Sequence, residues 1–358
     1  ADFTREGNTF TYSTGEQTGT VYHVVSGTVN MGDVSSSVKD THTGYNVYSG
    51  ATLEVNAANS GQIITLQDGA TLSNVTADRC NETGYNEQQI KEIYLTGDAN
   101  VVASRRFGIT AGGHAQAKLD LAGHTITKTG TALFSVTNAD ITAGTIDIQA
   151  GEVRLNNKSN TNGGNLVISD GLKVNIGDSA KLTIFNDMGS TYDAGVLFNA
   201  TGSGAIETMG NINIGGNTGG TYSYAGDINV KSGKLHIGQI SGDYNNQLSV
   251  SMSDATINLD GGNLYYYGGV SNLGTVNVKQ NANVELFATN NNDGGVGCLN
   301  IATLNVLAEK TATVNGRWDA NMAIDTLTGE GALNITTSNK NVTINTVEAG
   351  FGSITNAS

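Results

Sequence analysis

Gly177–Ala180 reads GDSA and sets a serine hydroxyl in a short polar stretch. To act as a nucleophile, Ser179 needs a histidine base and an aspartate that orients it, and His23, His42, His114 and His124 all precede it. The slot that GDSA fills recurs at Lys231–Lys234 and Lys279–Asn283, where no such chemistry is suggested, and Gly177–Lys181 is read as a turn. Hydrolysis of a polysaccharide takes two carboxylates close together on one face. The acidic candidates Asp120, Asp140, Asp147, Asp170, Asp178, Asp187 and Asp193 are scattered, and no pair recurs at the spacing of one repeat. A lyase would add clustered aspartates for Ca²⁺ and a basic residue, but the one adjacent basic pair, Arg105 and Arg106, is read as part of a solvated face. His114 and His124 are ten apart and lack Cys or Glu at metal-ligand spacing, so they read as turn histidines rather than a zinc site. Asp293 with Asn290, Asn291 and Asn292 could offer oxygens to Ca²⁺, yet the stretch lacks a calcium-repeat register and reads as a loop. No catalytic set, metal site or cofactor site is assigned.

The remaining candidates are aromatic. Tyr265, Tyr266 and Tyr267 are consecutive, with Tyr222, Tyr224 and Tyr244 earlier in the chain. In an alternating strand Tyr265 and Tyr267 share one face and Tyr266 takes the other. If one set points outward, rings from successive repeats could form a strip for a sugar or a protein partner; the alternative is Tyr packing inside or along the wall.

The elements that carry these residues repeat. Gly171–Phe185, GLKVNIGDSAKLTIF, returns as Asp227–Ile237, DINVKSGKLHI, and as Thr275–Phe287, TVNVKQNANVELF. Each is an apolar alternation, a polar turn and a second alternation, which gives inward sets Leu172, Val174, Ile176, Leu182, Ile184; Ile228, Val230, Leu235, Ile237; and Val276, Val278, Val284, Leu286. Strands this short cannot bury an apolar face alone and must stack on others of their kind. GATL occurs at Gly50–Leu53 and Gly69–Leu72, 19 positions apart; Ile257 to Val276 is again 19 and Leu264 to Val284 is 20, whereas Ile228 to Ile257 and Leu304 to Leu333 are each 29. A core turn near 19 or 20 residues with loops inserted at corners accounts for both intervals. The predicted fold is all-β, a right-handed parallel β-helix of roughly 14–17 turns, about 65 to 80 Å long. Residues 1–44 are expected to supply an N-terminal cap and first strands. Residues 45–358 are expected to form the helix, with excursions near 77–100, 186–226 and 288–298. A short α-helix is predicted in Asn86–Tyr94, NEQQIKEIY.

Composition agrees with that reading. Among 358 residues there are 48 Gly and no Pro, where average usage would give roughly 18 Pro; proline cannot donate to a ladder and is kept to edges and bulges. The net charge of −14 repels phosphate backbones and anionic lipid, which argues against nucleic acid as a partner. Cys80 and Cys298 are 218 positions apart and are expected to stay unpaired. No apolar run approaches the ~18 residues of a membrane helix, and any export signal is expected to be already removed.

The terse Asn-, Thr- and Gly-rich alternation, with phrases such as Leu327–Thr336, LTGEGALNIT, resembles passenger domains of autotransporter adhesins of Gram-negative bacteria. Lys118–Ile126, KLDLAGHTI, resembles the LDLNGHTI phrase of pectate-lyase-like β-helices, with Ala122 where Asn is usual. GDSA is likewise similar to the GDSG loop of chymotrypsin-like proteases, with Ala180 in place of the last Gly. The first resemblance implies an exported, non-enzymatic adhesin or self-association module on the cell surface. Its partners would be a host glycan, a surface protein or its own kind, and it would meet the membrane only through a C-terminal barrel absent from this sequence. Exposed ladders of Asn, Thr and Tyr and the corner loops would do the binding. A carbohydrate-active β-helix enzyme and a purely structural stalk are the alternative expectations.

Overall fold

The computed structural model describes residues 2–6, 9–13, 20–31, 42–55, 62–80, 90–110, 116–158, 166–169, 172–187, 198–200, 206–208, 211–216, 220–223, 227–239, 248–288, 297–317, 321–336 and 342–357. Their regular elements are all strands. The chain divides into two compact units, Ala1–Lys173 and Val174–Ser358, and each is a parallel β-helix in which a strand pairs with its counterpart one rung on.

In the first unit, one sheet runs through His42–Val47, Ile63–Leu66, Glu92–Leu95, Ala117–Asp120, Ala139–Ile141 and Leu166–Ile168, all parallel. A second runs through Thr28–Asn30, Thr52–Glu54, Thr71–Asn74, Ala99–Ala103, Thr125–Thr129 and Gly144–Ile148. A third joins Phe107–Ile109, Leu133–Thr137 and Gly151–Lys158. Alternation puts like residues in inward columns: Ile64, Ile93, Leu119, Ile141 and Ile168 stack in register and are all buried. The two GATL segments are one rung apart, with Thr52 beside Thr71 and Leu53 beside Leu72, and their glycines turn the corner at φ +73° and +72°. Among the described residues of this unit one pairing breaks the parallel rule: Asp2–Glu6 and Thr9–Ser13 form an antiparallel hairpin at the sheet edge.

In the second unit, Ile206–Thr208, Ile228–Val230, Leu248–Leu259, Val270–Val278, Cys298–Val306, Asn321–Gly329 and Val342–Val347 make one parallel sheet. Ala180–Asp187, Asn211–Gly216, Lys234–Gln239, Asn263–Gly268, Ala282–Ala288, Thr311–Arg317, Ala332–Ile335 and Ser353–Asn356 make another. The longer strands contain a corner. In Cys298–Val306 the buried residues are Leu299 and Ile301, then Leu304 and Val306, with exposed Ala302 between; the extra residue changes which parity faces in.

Ile257 pairs with Val276 and Leu264 with Val284, as their intervals of 19 and 20 predict, and Ile228 pairs with Ile257 across the long interval. One expectation fails: Leu304 stacks on Leu327, while Leu333 belongs to the other sheet, beside Ala312. Both positions are inward leucines, so apolar spacing could not assign them to a sheet. The predicted short helix is also corrected. Glu92–Leu95 is a ladder strand and Ile90 bridges to Ile109, because Ile93 and Leu95 alternate with polar residues at a period of two; Asn86–Gln89 lie outside the described residues. The ladder strand Ala99–Ala103 likewise begins within the stretch 77–100 read as an excursion.

Candidate functional site

In the first unit the sheet face carrying Glu92–Leu95 gathers charge. Glu92, Lys118 and Asp140 are neighbours on three successive strands, and Tyr94 stands beside Asp120. The Tyr94 hydroxyl donates to Glu92 Oε2 at 2.7 Å. Lys118 Nζ lies 2.9 Å from Asp120 Oδ2 and 5.0 Å from the centre of the Tyr94 ring. Asp120 Oδ1 also accepts from the Thr142 hydroxyl at 2.9 Å and the Ala122 N–H at 3.2 Å, and the Gln116 amide donates to Asp140 at 2.9 Å. These contacts fix the charge states. The Lys118 hydrogen bond holds the Asp120 carboxyl below its usual range, the same bond raises Lys118, and the bond to Glu92 raises the Tyr94 phenol. A general acid or base must change protonation near working pH; Asp120, Lys118 and Tyr94 are pushed away from neutrality, and Lys118 and Asp120 brace the face as an ion pair. The sequence carried the signal in EIYL and KLDL, whose polar residues sit at i and i+2. Their rungs are 26 and 22 residues long (Glu92 to Lys118, Lys118 to Asp140), so no constant interval linked them.

The second unit presents an uncharged lattice. Thr256, Thr275, Thr303, Thr326 and Thr346 are in register on five successive strands. Two residues along, Asn229, Asn258, Asn277 and Asn305 form a second row, followed by Thr328, whose hydroxyl donates to Glu348 at 2.5 Å, so that a carboxylate ends the row. Each asparagine amide donates to the one before it: Asn258 to Asn229 at 2.6 Å, Asn277 to Asn258 at 2.9 Å and Asn305 to Asn277 at 3.0 Å. Each interior amide thus spends one N–H and one acceptor position on its neighbours and keeps one N–H for an outside partner. The alternation Thr-x-Asn, with inward Ile, Val or Leu between, builds both rows from a single strand pattern.

The aromatic candidates separate. Tyr266 points inward and is fully buried; its hydroxyl donates to the carbonyls of Gly268, at 2.9 Å, and Gly269, and burial raises its pKa. Tyr265 faces outward. His236 of the preceding rung and Phe287 of the following one lie with ring centres 4.7 Å away, and Lys234 Nζ is 4.6 Å from the ring centre. Tyr267, 6% exposed, meets Phe287 edge-on at 6.4 Å. The outward rings therefore pack along the wall on one another. Tyr222 pairs through its backbone with Val250; its side chain, and Tyr224 and Tyr244 altogether, lie outside the described residues.

Other candidates take ordinary places. Ser179 and Asp178 sit exposed on a turn closed by the Ala180 N–H donating to Gly177 at 2.9 Å. His23 shares a hydrogen bond with the Tyr48 hydroxyl at 2.9 Å, and His124 lies 3.9 Å from Asp98. Asp147 accepts from Gln149 at 3.0 Å, and Arg106 pairs with Asp78 at 3.0 Å while Arg105 is exposed. His114, Asp170, Asp193, Asn290–Asn292 and Asp293, and the side chains of His42, Ile184 and Asp187, lie outside the described residues. Among the described residues no group of three or more His, Cys, Asp or Glu is placed to hold a metal. Both cysteines are free thiols, and burial raises Cys80 to about 12.

These elements define a protein built on the parallel β-helix. No protein-family model, curated protein or solved structure matches the chain.

Proposed function

We propose that the chain is a non-enzymatic β-helical passenger, exported and displayed on a cell surface, that acts as an adhesin or self-association module. The supporting observation is the double row of threonine and asparagine on the second unit. Its groups repeat at the strand spacing of about 4.8 Å, carry no charge and keep hydrogen-bonding capacity to spare. On a chain of net charge −14, an uncharged lattice is where a glycan, another protein or a second copy can approach without Coulombic penalty. Neutral polar arrays form many weak, sequence-tolerant hydrogen bonds, whose summed strength suits adhesion better than turnover.

The test is a screen of the purified chain against glycans and cell surfaces, with sedimentation to detect self-association. Binding or sedimentation of the wild type is expected, and loss of it in Thr275→Glu/Thr303→Glu, which puts two like charges on adjacent strands. A wild type that neither binds nor sediments, or a double variant indistinguishable from it, would overturn the reading.

A further inference from the structure

Lys128 occupies an inward position in Thr125–Thr129, in a column where its neighbours are Val101 and Ile148. Its side chain is 1% exposed. A lysine in an aliphatic column requires a reason, since burying an ammonium without partners is prohibitive. The reason lies at the corner between two sheets. There the carbonyl oxygens of Gly130, Ala132 and Ala150 converge on Nζ at 2.7, 2.7 and 2.6 Å. Three acceptors meet the three protons of an ammonium, so its donors are all used. Two of the oxygens belong to one rung and the third to the next, and the cation ties the rungs together. The surrounding backbone is shaped to leave this space: Gly151 has φ +68°, and a Cβ there would stand 2.6 Å from Nζ and 2.7 Å from the Gly130 oxygen.

We propose that this corner is a monovalent-cation site which the chain fills with its own ammonium, and that removing the side chain opens it to a free alkylammonium ion. Carbonyl oxygens turned into an apolar core create negative potential whether or not the tether is present. Lys128→Ala leaves room for the three distal carbons and the nitrogen of the lost side chain, which is the outline of n-propylammonium.

The experiment follows thermal unfolding of the full chain as wild type, Lys128→Ala and Lys128→Met. Both variants take the ammonium donor away from three part-buried carbonyls, and a midpoint lowered by about 10 °C is expected. n-Propylammonium should raise the Lys128→Ala midpoint saturably, while n-propanol and equal ionic strength of NaCl should not, and Lys128→Met, whose cavity is filled, should not respond. Equal rescue by propanol, or Lys128→Met as stable as wild type, overturns the proposal. Should Lys128→Ala fail to fold, amine acetylation of the wild type decides: Lys128 is expected to react at least about tenfold more slowly than exposed Lys173, and equal rates refute the cage.

Discussion

The two units solve the same problem with different chemistry. In the first, polar groups are satisfied by charge: Lys128 is caged in the core, and Lys118 is paired with Asp120 on the wall. In the second, one ion pair, Lys231 with Asp260, stands beside neutral groups: Tyr266 ties the carbonyls of Gly268 and Gly269, and an asparagine ladder runs along the wall. Ionic bracing depends on pH and salt and consumes its own groups in pairs. A neutral ladder depends on neither and leaves donors for a partner. The backbone scaffold is shared, so the outward and corner residues alone decide which unit is braced and which is available.

The largest expected effect breaks the comparison at alkaline pH. Burial lowers Lys128 to about 8, with Glu152 acting in the opposite sense. Between about 8 and 10.5 the unfolded chain then binds a proton that the folded one does not, so stability rises with pH through that window. From the ordinary value of 10.5 the ceiling is about 3 kcal/mol, reduced by the three carbonyls that favour the charged form. Urea midpoints of the wild type should climb from pH 8 to 10 and those of Lys128→Met should not. Tyr266 carries the opposite sign: its raised pKa gives stability that is complete below 10 and is lost above it.

Tyr266→Phe comes next. It removes the one O–H donor that the Gly268 and Gly269 carbonyls share, so a loss of about 2 kcal/mol is expected, independent of pH between 6 and 9 and of salt. A loss that shrinks in 1 M NaCl would show that the second unit's corner is not the neutral device described. On the walls the same contrast is smaller. Asn277→Ala deletes two ladder bonds and should cost about 1 kcal/mol at any ionic strength. Asp120→Asn should cost less than about 1 kcal/mol, since the pair is partly solvated. It should cost less still in 1 M salt and nothing below the folded pKa of Asp120, which lies under its ordinary 3.8. Denaturant melts of both variants at two salt concentrations measure the difference.

Much of the fold was legible because a period of two is a local property. Leu172, Val174 and Ile176, or Val276 and Val278, declare an inward face within five residues, and all five are buried. What joins one rung to the next is not local. The rung from Glu92 to Lys118 is 26 residues and that from Ile257 to Val276 is 19, so the ionic face stayed hidden while the threonine row, written as repeated Thr-x-Asn, was open to view. Leu304 and Leu333 were misjoined for the same reason. Lys128 was illegible in another way: nothing in KTGTA announces that three carbonyls will turn inward, since backbone acceptors leave no letter in the sequence.

The smallest expected effect returns to the phrase KLDLAGHTI. Ala122 holds φ 49° and Gly123 φ 85°, a turn whose first position is left-handed. Alanine there places Cβ against the carbonyl that follows, whereas asparagine tolerates the region. Ala122 is exposed and its N–H already donates to Asp120, so Ala122→Asn relieves the backbone without disturbing the ionic wall and should stabilise by about 0.5–1 kcal/mol. The gain should persist when Asp120→Asn is added, because the two changes act on backbone and on charge separately. A gain that vanishes in the double variant would mean that the turn is held by Asp120, and that the charged wall braces the corners as well as the sheet.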